Sequence, residues 1–268
     1  MSTFLPFSLE GVGIHTGRPC RTSIAPTTPG DGIVFATATG DIPAVASAID
    51  PHSIRATNLI YGSSRVGMVE HLLAALLWYG VNDARVDVEG PEIPILDGSA
   101  LPWVNALVNA GAHPSPRFVE IDAEIEVVHG DSVARMSPAE ELSVSIFLQY
   151  DEIDIGSRQM VFTPAVDGFV EILAPARTFA MEDEVEQILA SGLGLGGSLE
   201  NALIIGNSGP LNPGGFRFDN EPVRHKMLDV IGDLALLGGL PLARLEIVRP
   251  GHQIMHELVR RVAPKTAS

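Results

Sequence analysis

His225, Asp229 and Asp233 recur at intervals of four within "VRHKMLDVIGD". On a helix of 3.6 residues per turn they share one face, beside a surface on which Val230, Ile231 and Leu234 demand burial. A titratable line bordering a core face can hold chemistry away from bulk water. His225 and Asp229, one turn apart, can share a metal ion. His71, in "MVEHLLAAL", can complete a set of three His and carboxylate ligands with a fourth position left for water. Taken alone, His-x-x-x-Asp on a helix is more often a hydrogen-bonded pair than a metal site. Glu70 shifts the balance, because a carboxylate beside a ligand can take the proton from an activated water, although by itself it reads as any surface glutamate. His252, in "RPGHQIMHEL" at a predicted helix start, is a candidate general acid that Asp233 could orient and charge; its other reading is a helix cap. His15, in the Gly-flanked "GVGIHTG", is a substrate contact or a turn residue.

The elements that must position these residues repeat. "VEHLLAALLWYGVNDARVDV" and "VRHKMLDVIGDLALLGGLPLARLEI" each begin Val-x-His and run as an apolar helical pattern. Each then ends in a strand, Ala84 to Val88 and Ala243 to Ile247. His71 and His225 stand at equivalent helix starts, which suggests two related α+β units; coincidence is the competing reading. Face-to-face packing of such units would bring both histidines to one cleft. The Pro-punctuated Gly111 to Phe118 is the candidate boundary, giving units over residues 1–113 and 118–268. "LSVSIFLQY", Leu142 to Tyr150, alternates with a strand period, and "VEIDAEIEVVHGDSVARMSP" predicts a hairpin turning at His129-Gly130-Asp131. Met181 to Ser191 reads as a helix with acidic residues in its first turn and Gly192 closing its end. Strands mixed with helices in each half make this an α+β protein.

Composition excludes several classes. The 268 residues are 46% hydrophobic, enough for a core without staples. The single cysteine, Cys20, excludes an intramolecular disulfide and a thiolate metal cluster, and fits a reducing cytoplasm. Seventeen Lys and Arg against 33 Asp and Glu give a formal charge of −16, which argues against nucleic acid as partner. No signal-peptide pattern opens the sequence, and its longest apolar run, Leu72 to Val81, is too short to span a bilayer. A soluble, cytoplasmic monomer with at most peripheral lipid contact is expected.

Seven blocks carry a more specific signal: "GVGIHTG", "MVEHLLAAL", "EIPILDGSALPWV", "ARTFA", "GLGLGGSLENALII", "FRFDNEPVRHKMLDVIGDLALLG" and "GHQIMHELV". In order and spacing they resemble the UDP-3-O-acyl-N-acetylglucosamine deacetylase family, zinc enzymes of lipid A biosynthesis, over nearly the whole chain. The resemblance implies two domains, each a mostly antiparallel sheet with helices, packed with the helices between the sheets. It implies Zn2+ held by His71, His225 and Asp229, Glu70 as general base, His252 as general acid or electrostatic stabiliser with Asp233 as its partner, and Thr178 as the hydroxyl that stabilises the oxyanion. Phe179 matches the aromatic that packs on the sugar, and Lys226 the lysine near sugar and phosphates. Met181 to Ile205 resembles the insert that shapes an apolar passage for the acyl chain. "EIPILDGSALPW" reads as structural, with Pro91 and Pro94 rigidifying it and Asp97-Gly98 forming a turn.

The departures gather at the substrate end. Ala180 follows Phe179 where the family usually has glycine, Ser137 stands where a phosphate-binding lysine is common, Arg249 replaces another lysine, and Tyr150 takes the place of a phenylalanine near uracil. The leading expectation is N-acetyl removal from UDP-3-O-acyl-N-acetylglucosamine, an acylated amino-sugar small molecule. A divergent amidase of the same fold acting on another acylated amino sugar or amide without UDP is the runner-up, discriminated by competition with UDP. A catalytically silent zinc-binding homologue is the third.

Overall fold

The computed structural model of the chain describes residues 4–148 and 158–263. In chain order, β1 (Phe7–Val12), β2 (Pro19–Pro26), β3 (Ile33–Thr37) and β4 (Gly40–Pro43) lead into a short hairpin, β5 (Leu59–Tyr61) and β6 (Ser64–Val66). Then come α1 (Glu70–Trp78), β7 (Ala84–Glu89) and α2 (Leu101–Asn109). A second run follows: β8 (Phe118–Glu120), β9 (Ile125–His129), β10 (Ser132–Pro138), β11 (Ser143–Phe147) and β12 (Gln159–Phe162). After α3 (Phe169–Ile172) come β13 (Phe179–Met181), α4 (Val185–Ala190), β14 (Leu203–Gly206) and β15 (Gly209–Pro210). The chain closes with α5 (Glu221–Leu234), β16 (Leu240–Val248) and α6 (His252–Val262). No described helix is long and apolar enough to cross a membrane.

The two main sheets share one wiring. The first has the order β1-β2-β7-β3-β4 and the second β9-β10-β16-β11-β12, with β8 added beside β16. In each, the strand after the central helix is antiparallel to one neighbour (β2 or β10) and parallel to the other (β3 or β11). The remaining pairs in those two orders are antiparallel. The helix-then-strand echo in the sequence therefore corresponds to the same position in both sheets.

Alternation explains why each sheet has one wet and one dry face. In β7, Ala84, Val86 and Val88 are buried while Arg85, Asp87 and Glu89 point out. In β16, Ala243, Leu245 and Ile247 are buried between exposed Arg244, Glu246 and Val248. The dry faces need a partner, and the helices supply it. Every residue of α1 is buried, and α5 exposes little beyond Arg224 and Lys226. A helix buried on all sides lies inside a protein rather than on it. One continuous core joins Ile24, Phe35 and Val86 of the first sheet to Leu72 and Leu76 of α1, Val230 and Ile231 of α5, and Val144 and Leu245 of the second sheet. The α+β architecture with helices between sheets is the one expected.

Some details differ from the sequence reading. The hairpin forms with Gly130 in the left-handed region (φ 58), but Phe118–Glu120 leaves it to pair in parallel with β16. The strand expected over Leu142 to Tyr150 is Ser143–Phe147, and Tyr150 lies outside the described residues. The helix expected over Met181 to Ser191 is shorter: Met181 is drawn into β13 by pairing with Ile205, and Glu182–Glu184 form a tight 3-10 turn before α4. Gly192 closes the helix at φ 79, as its position suggested.

Candidate active site

The first two residues of α1 are Glu70 and His71, and they face α5 at the level of His225 and Asp229. Gly232 permits the approach, because a Cβ there would stand 2.2 Å from the Glu70 carbonyl oxygen. The His225 and His71 rings meet edge to face, 5.1 Å between centroids. His225 Nε2 is 3.2 Å and His71 Nε2 3.7 Å from Asp229 Oδ1, and all three ligand atoms lie within 4.8 Å of one another. Yet Asp229 Oδ1 is buried with no hydrogen-bond partner among the described residues. Nearby nitrogens that do not bond it, around a carboxylate oxygen whose desolvation is uncompensated, are what a shared cation would resolve.

The outer contacts suit that purpose. His225 Nδ1 is 3.1 Å from the Ala176 carbonyl, so a proton held there leaves the Nε2 lone pair facing His71 and Asp229. Burial pushes His225 down to about 3, keeping it a neutral imidazole. Burial opposes ionisation of Asp229 too, but His225, Lys226, His71 and His252 outweigh it and hold the carboxyl well below the usual range. Lys226 Nζ donates to Asp229 Oδ2 at 3.0 Å. A neutral imidazole and an ionised carboxylate are the protonation states a metal requires.

Beside this cluster stand a carboxylate and an imidazole, Glu70 and His252. Glu70 Oε2 accepts the Thr57 N–H at 3.0 Å, and burial raises the Glu70 pKa against the attraction of His252 and His71. His252, the first residue of α6, places Nε2 3.8 Å from Glu70 Oε1 and Nδ1 3.2 Å from Asp233 Oδ2. Burial works to lower His252, but the Asp233 charge and hydrogen bond, with Asp229 and Glu70, raise it to about 9. It is therefore an imidazolium at neutral pH, with a proton on the side facing Glu70. A carboxylate able to accept a proton beside an imidazole that carries one gives the site an acceptor and a donor.

These groups form one end of a cavity of about 300 Å³. Thr178, Phe179, Lys226 and His15 line it next to them. Thr178 is fixed by its own backbone, which donates to Gly98 O and accepts from Leu203 N, each at 2.8 Å. The other end is apolar, formed by Val185, Ile188 and Leu189 of α4 with Leu199 and Ile204. This insert folds back on the first half: Gly196 N donates to Ile14 O, and a Cβ at Gly196 would stand 2.2 Å from Gly13 O. Both ring nitrogens of His15 are buried without a partner among the described residues.

A family model for UDP-3-O-acyl N-acetylglycosamine deacetylases matches residues 5–264. The chain belongs to this family. It is similar to UDP-3-O-acyl-N-acetylglucosamine deacetylases from several bacteria. That of Phenylobacterium zucineum (strain HLK1) is 40% identical over 97% of this chain and 92% of its own. That of Anaeromyxobacter sp. (strain Fw109-5) is 39% identical over 95% and 85%, and that of Syntrophotalea carbinolica (strain DSM 2380 / NBRC 103641 / GraBd1) 36% over 96% and 85%.

For this member of the deacetylase family, nine of the residues singled out in the sequence line one cavity: His15, Glu70, His71, Thr178, Phe179, His225, Lys226, Asp229 and His252. Ala180 lines it too. Asp233 stands behind His252, fully buried. Arg249 is not brought to the cavity; at φ 54 it follows β16 and pairs with Asp131 at 2.7 Å beside the hairpin turn. Sequence reasoning missed Thr57, whose hydroxyl bridges Asp233, His252 and His256. His256 had a readable signal, its spacing of one turn from His252, whereas Thr57 had none. Also missed were Glu92, which holds the His15 loop through Thr16 N at 2.8 Å, and the buried Arg177–Glu221 pair (2.8 Å) that anchors the Thr178 segment on the start of α5.

Proposed function

We propose that this chain removes the N-acetyl group from UDP-3-O-acyl-N-acetylglucosamine, as a zinc-dependent amide hydrolase of lipid A biosynthesis in the cytoplasm. One observation carries the reading: His71, His225 and Asp229 converge around an unsatisfied buried carboxylate oxygen, with a proton acceptor and a proton donor alongside and an apolar pocket leading away. The donor set fits zinc, since His and carboxylate ligands without thiols are a common catalytic combination. Bound there, zinc supplies a Lewis acid that polarises the acetamide carbonyl and acidifies the attacking water.

The protein supplies the rest. Glu70, whose pKa burial raises, acts in its carboxylate form to take the proton of the attacking water at Oε1 while the Thr57 N–H holds Oε2. The Thr178 hydroxyl donates to the developing oxyanion, and its doubly bonded backbone makes that donor preorganised. His252 delivers its Nε2 proton to the departing nitrogen, and Asp233 at 3.2 Å stabilises the charge it carries beforehand. Phe179 and Lys226 hold the sugar side, with Lys226 Nζ 5.6 Å from the Phe179 ring centroid, and His15 offers its unpartnered ring to the substrate. Val185, Ile188 and Leu199 surround the acyl chain and keep water from it. We assign the two units to residues 1–113 and 118–268, the first giving Glu70 and His71 and the second the remaining ligands, so that the site forms only where they meet.

The test is acetate release from UDP-3-O-acyl-N-acetylglucosamine by the zinc-loaded protein. Release is expected, with loss on chelation and in Glu70→Ala. No release from a folded, zinc-bound protein would discard this substrate.

A further inference from the structure

Three side chains surround the fully buried carboxylate of Asp233. His252 Nδ1 lies 3.2 Å from Oδ2, and the Thr57 hydroxyl makes a short hydrogen bond to Oδ1. The same hydroxyl oxygen lies 3.1 Å from His252 Nδ1 and 2.8 Å from His256 Nε2. A hydroxyl has one proton and two lone pairs, while an ionised carboxylate only accepts. Thr57 must therefore spend its proton on Asp233 and leave its lone pairs to the two imidazoles. It follows that His256 carries a proton on Nε2 and donates it to Thr57. His252 carries one on Nδ1, shared between Asp233 and Thr57. The ligand atoms of Asp233, His252 and His256 also lie within 4.8 Å of one another, the spacing of a metal cluster. The Thr57 oxygen bonds all three, so the point on which a cation would sit is filled by a hydroxyl.

We propose that His256 is a positioning residue for the deacetylation: acting through the Thr57 hydroxyl, it fixes Asp233 and so holds His252 with Nδ1 inward and Nε2 turned to Glu70 and the cavity. Thr57 is suited to the part because its two ends serve both proton-transfer groups, the backbone N–H on Glu70 and the hydroxyl on the Asp233–His252 pair. Burial pushes His256 down to about 4, so it enters the chain of bonds as a neutral imidazole with a single proton to place. One turn of α6 separates His256 from His252, which ties both rings to the same rigid element. The kinetic consequence rests on the proposed function; the placement of the proton does not.

The experiment compares the zinc-loaded, 15N-labelled protein with His256→Ala and His256→Gln, the glutamine amide reaching the place of Nε2 and keeping a donor. Two-bond nitrogen–proton spectra of the unchanged protein at neutral pH should show His256 as the Nε2–H tautomer, its signals assigned by their loss in His256→Ala. Acetate release should fall about tenfold in kcat with little change in KM for His256→Ala, as for other supporting hydrogen-bond partners, and recover to within about twofold for His256→Gln. A proton on Nδ1, an alanine variant as fast as the unchanged protein, or a glutamine variant as slow as alanine would each overturn the assignment. If the unchanged protein releases no acetate at all, the proposed reaction fails, and the tautomer alone decides whether the network is as described.

Discussion

Gly232 has no side chain, and that sets the distance between the two helices carrying the site. A Cβ there would stand 2.2 Å from the Glu70 carbonyl oxygen, 2.8 Å from its carbonyl carbon and 3.0 Å from its Cα. Backbone atoms cannot swing aside, and carbon contacts are comfortable only at roughly 3.5 Å, so Gly232→Ala must part α1 from α5 by about 1 Å. Glu70 and His71 then move together away from His225 and Asp229. A misplacement of that size costs on the order of 10²-fold in rate. Stability should change much less: overpacking costs about 1–3 kcal/mol, but alanine regains about 1 kcal/mol over glycine inside a helix. The remainder corresponds to a fall in Tm of at most roughly 8 °C. The assay is kcat/KM for acetate release alongside metal content at limiting zinc and a thermal scan. The expected result is an activity loss far out of proportion to the loss of stability, with weaker metal retention. A folded Gly232→Ala protein with unchanged kcat/KM would refute the claim that this contact sets the site.

Other expectations follow from the same geometry. His252→Ala should lower kcat by about 10²-fold or more with KM nearly kept, because an amine leaves poorly unless protonated; equal loss in both parameters would point to binding instead. With His252 raised to about 9, its proton is present across neutral pH, so kcat should decline as pH rises through about 9. The folded pKa lies above the unfolded 6.5, so the associated stability is complete below about 6.5 and is lost as pH rises through about 9; thermal scans across that range check the sign. Arg177→Ala leaves Glu221 buried without its main partner and should cost about 3–5 kcal/mol, read as a large drop in Tm. Ile188→Trp fills the apolar end of the cavity, and should depress kcat/KM for long acyl chains while sparing short ones; an equal effect on both would place the acyl chain elsewhere.

Much of this arrangement was legible because its signals are periodic and local. The spacing His225, Asp229, Asp233 put three groups on one helix face, and the Val-x-His echo pointed to His71, although His71 is the second residue of α1 and His225 the fifth of α5 rather than at equivalent helix starts. Family blocks supplied roles for Thr178 and Phe179 that no spacing could. The residues that escaped are those whose meaning lies in long-range contact. Thr57 is 176 positions from Asp233 and 199 from His256, in an irregular stretch where a threonine carries no periodic signal. Gly232 reads in the sequence as a flaw within a helix, and only the neighbouring backbone shows what it permits. Met181 reads as helical in the sequence because its acidic neighbours resemble a first turn, whereas strand pairing with Ile205 claims it.

Charge placement explains why a titratable line should run beside a core face. Burial alone would leave Glu70 and Asp229 protonated and the histidines neutral, which would provide neither an ionised ligand nor a proton donor. Asp229 and His252 depart from that default, with Lys226 and Asp233 at hydrogen-bonding range among the groups responsible, whereas His225 keeps it and the Ala176 carbonyl orients its ring. Glu70 has the Thr57 N–H and the attraction of His252 and His71, which do not offset its burial, so its pKa is left raised. Lys226, Asp233 and Ala176 lie in the second half, as do the groups they support, while Thr57 and Glu70 come from the first. What crosses between the halves is the approach of His252 Nε2 to Glu70 Oε1 at 3.8 Å and the Thr57 hydroxyl on Asp233, so the close contact at Gly232 sets where these groups stand.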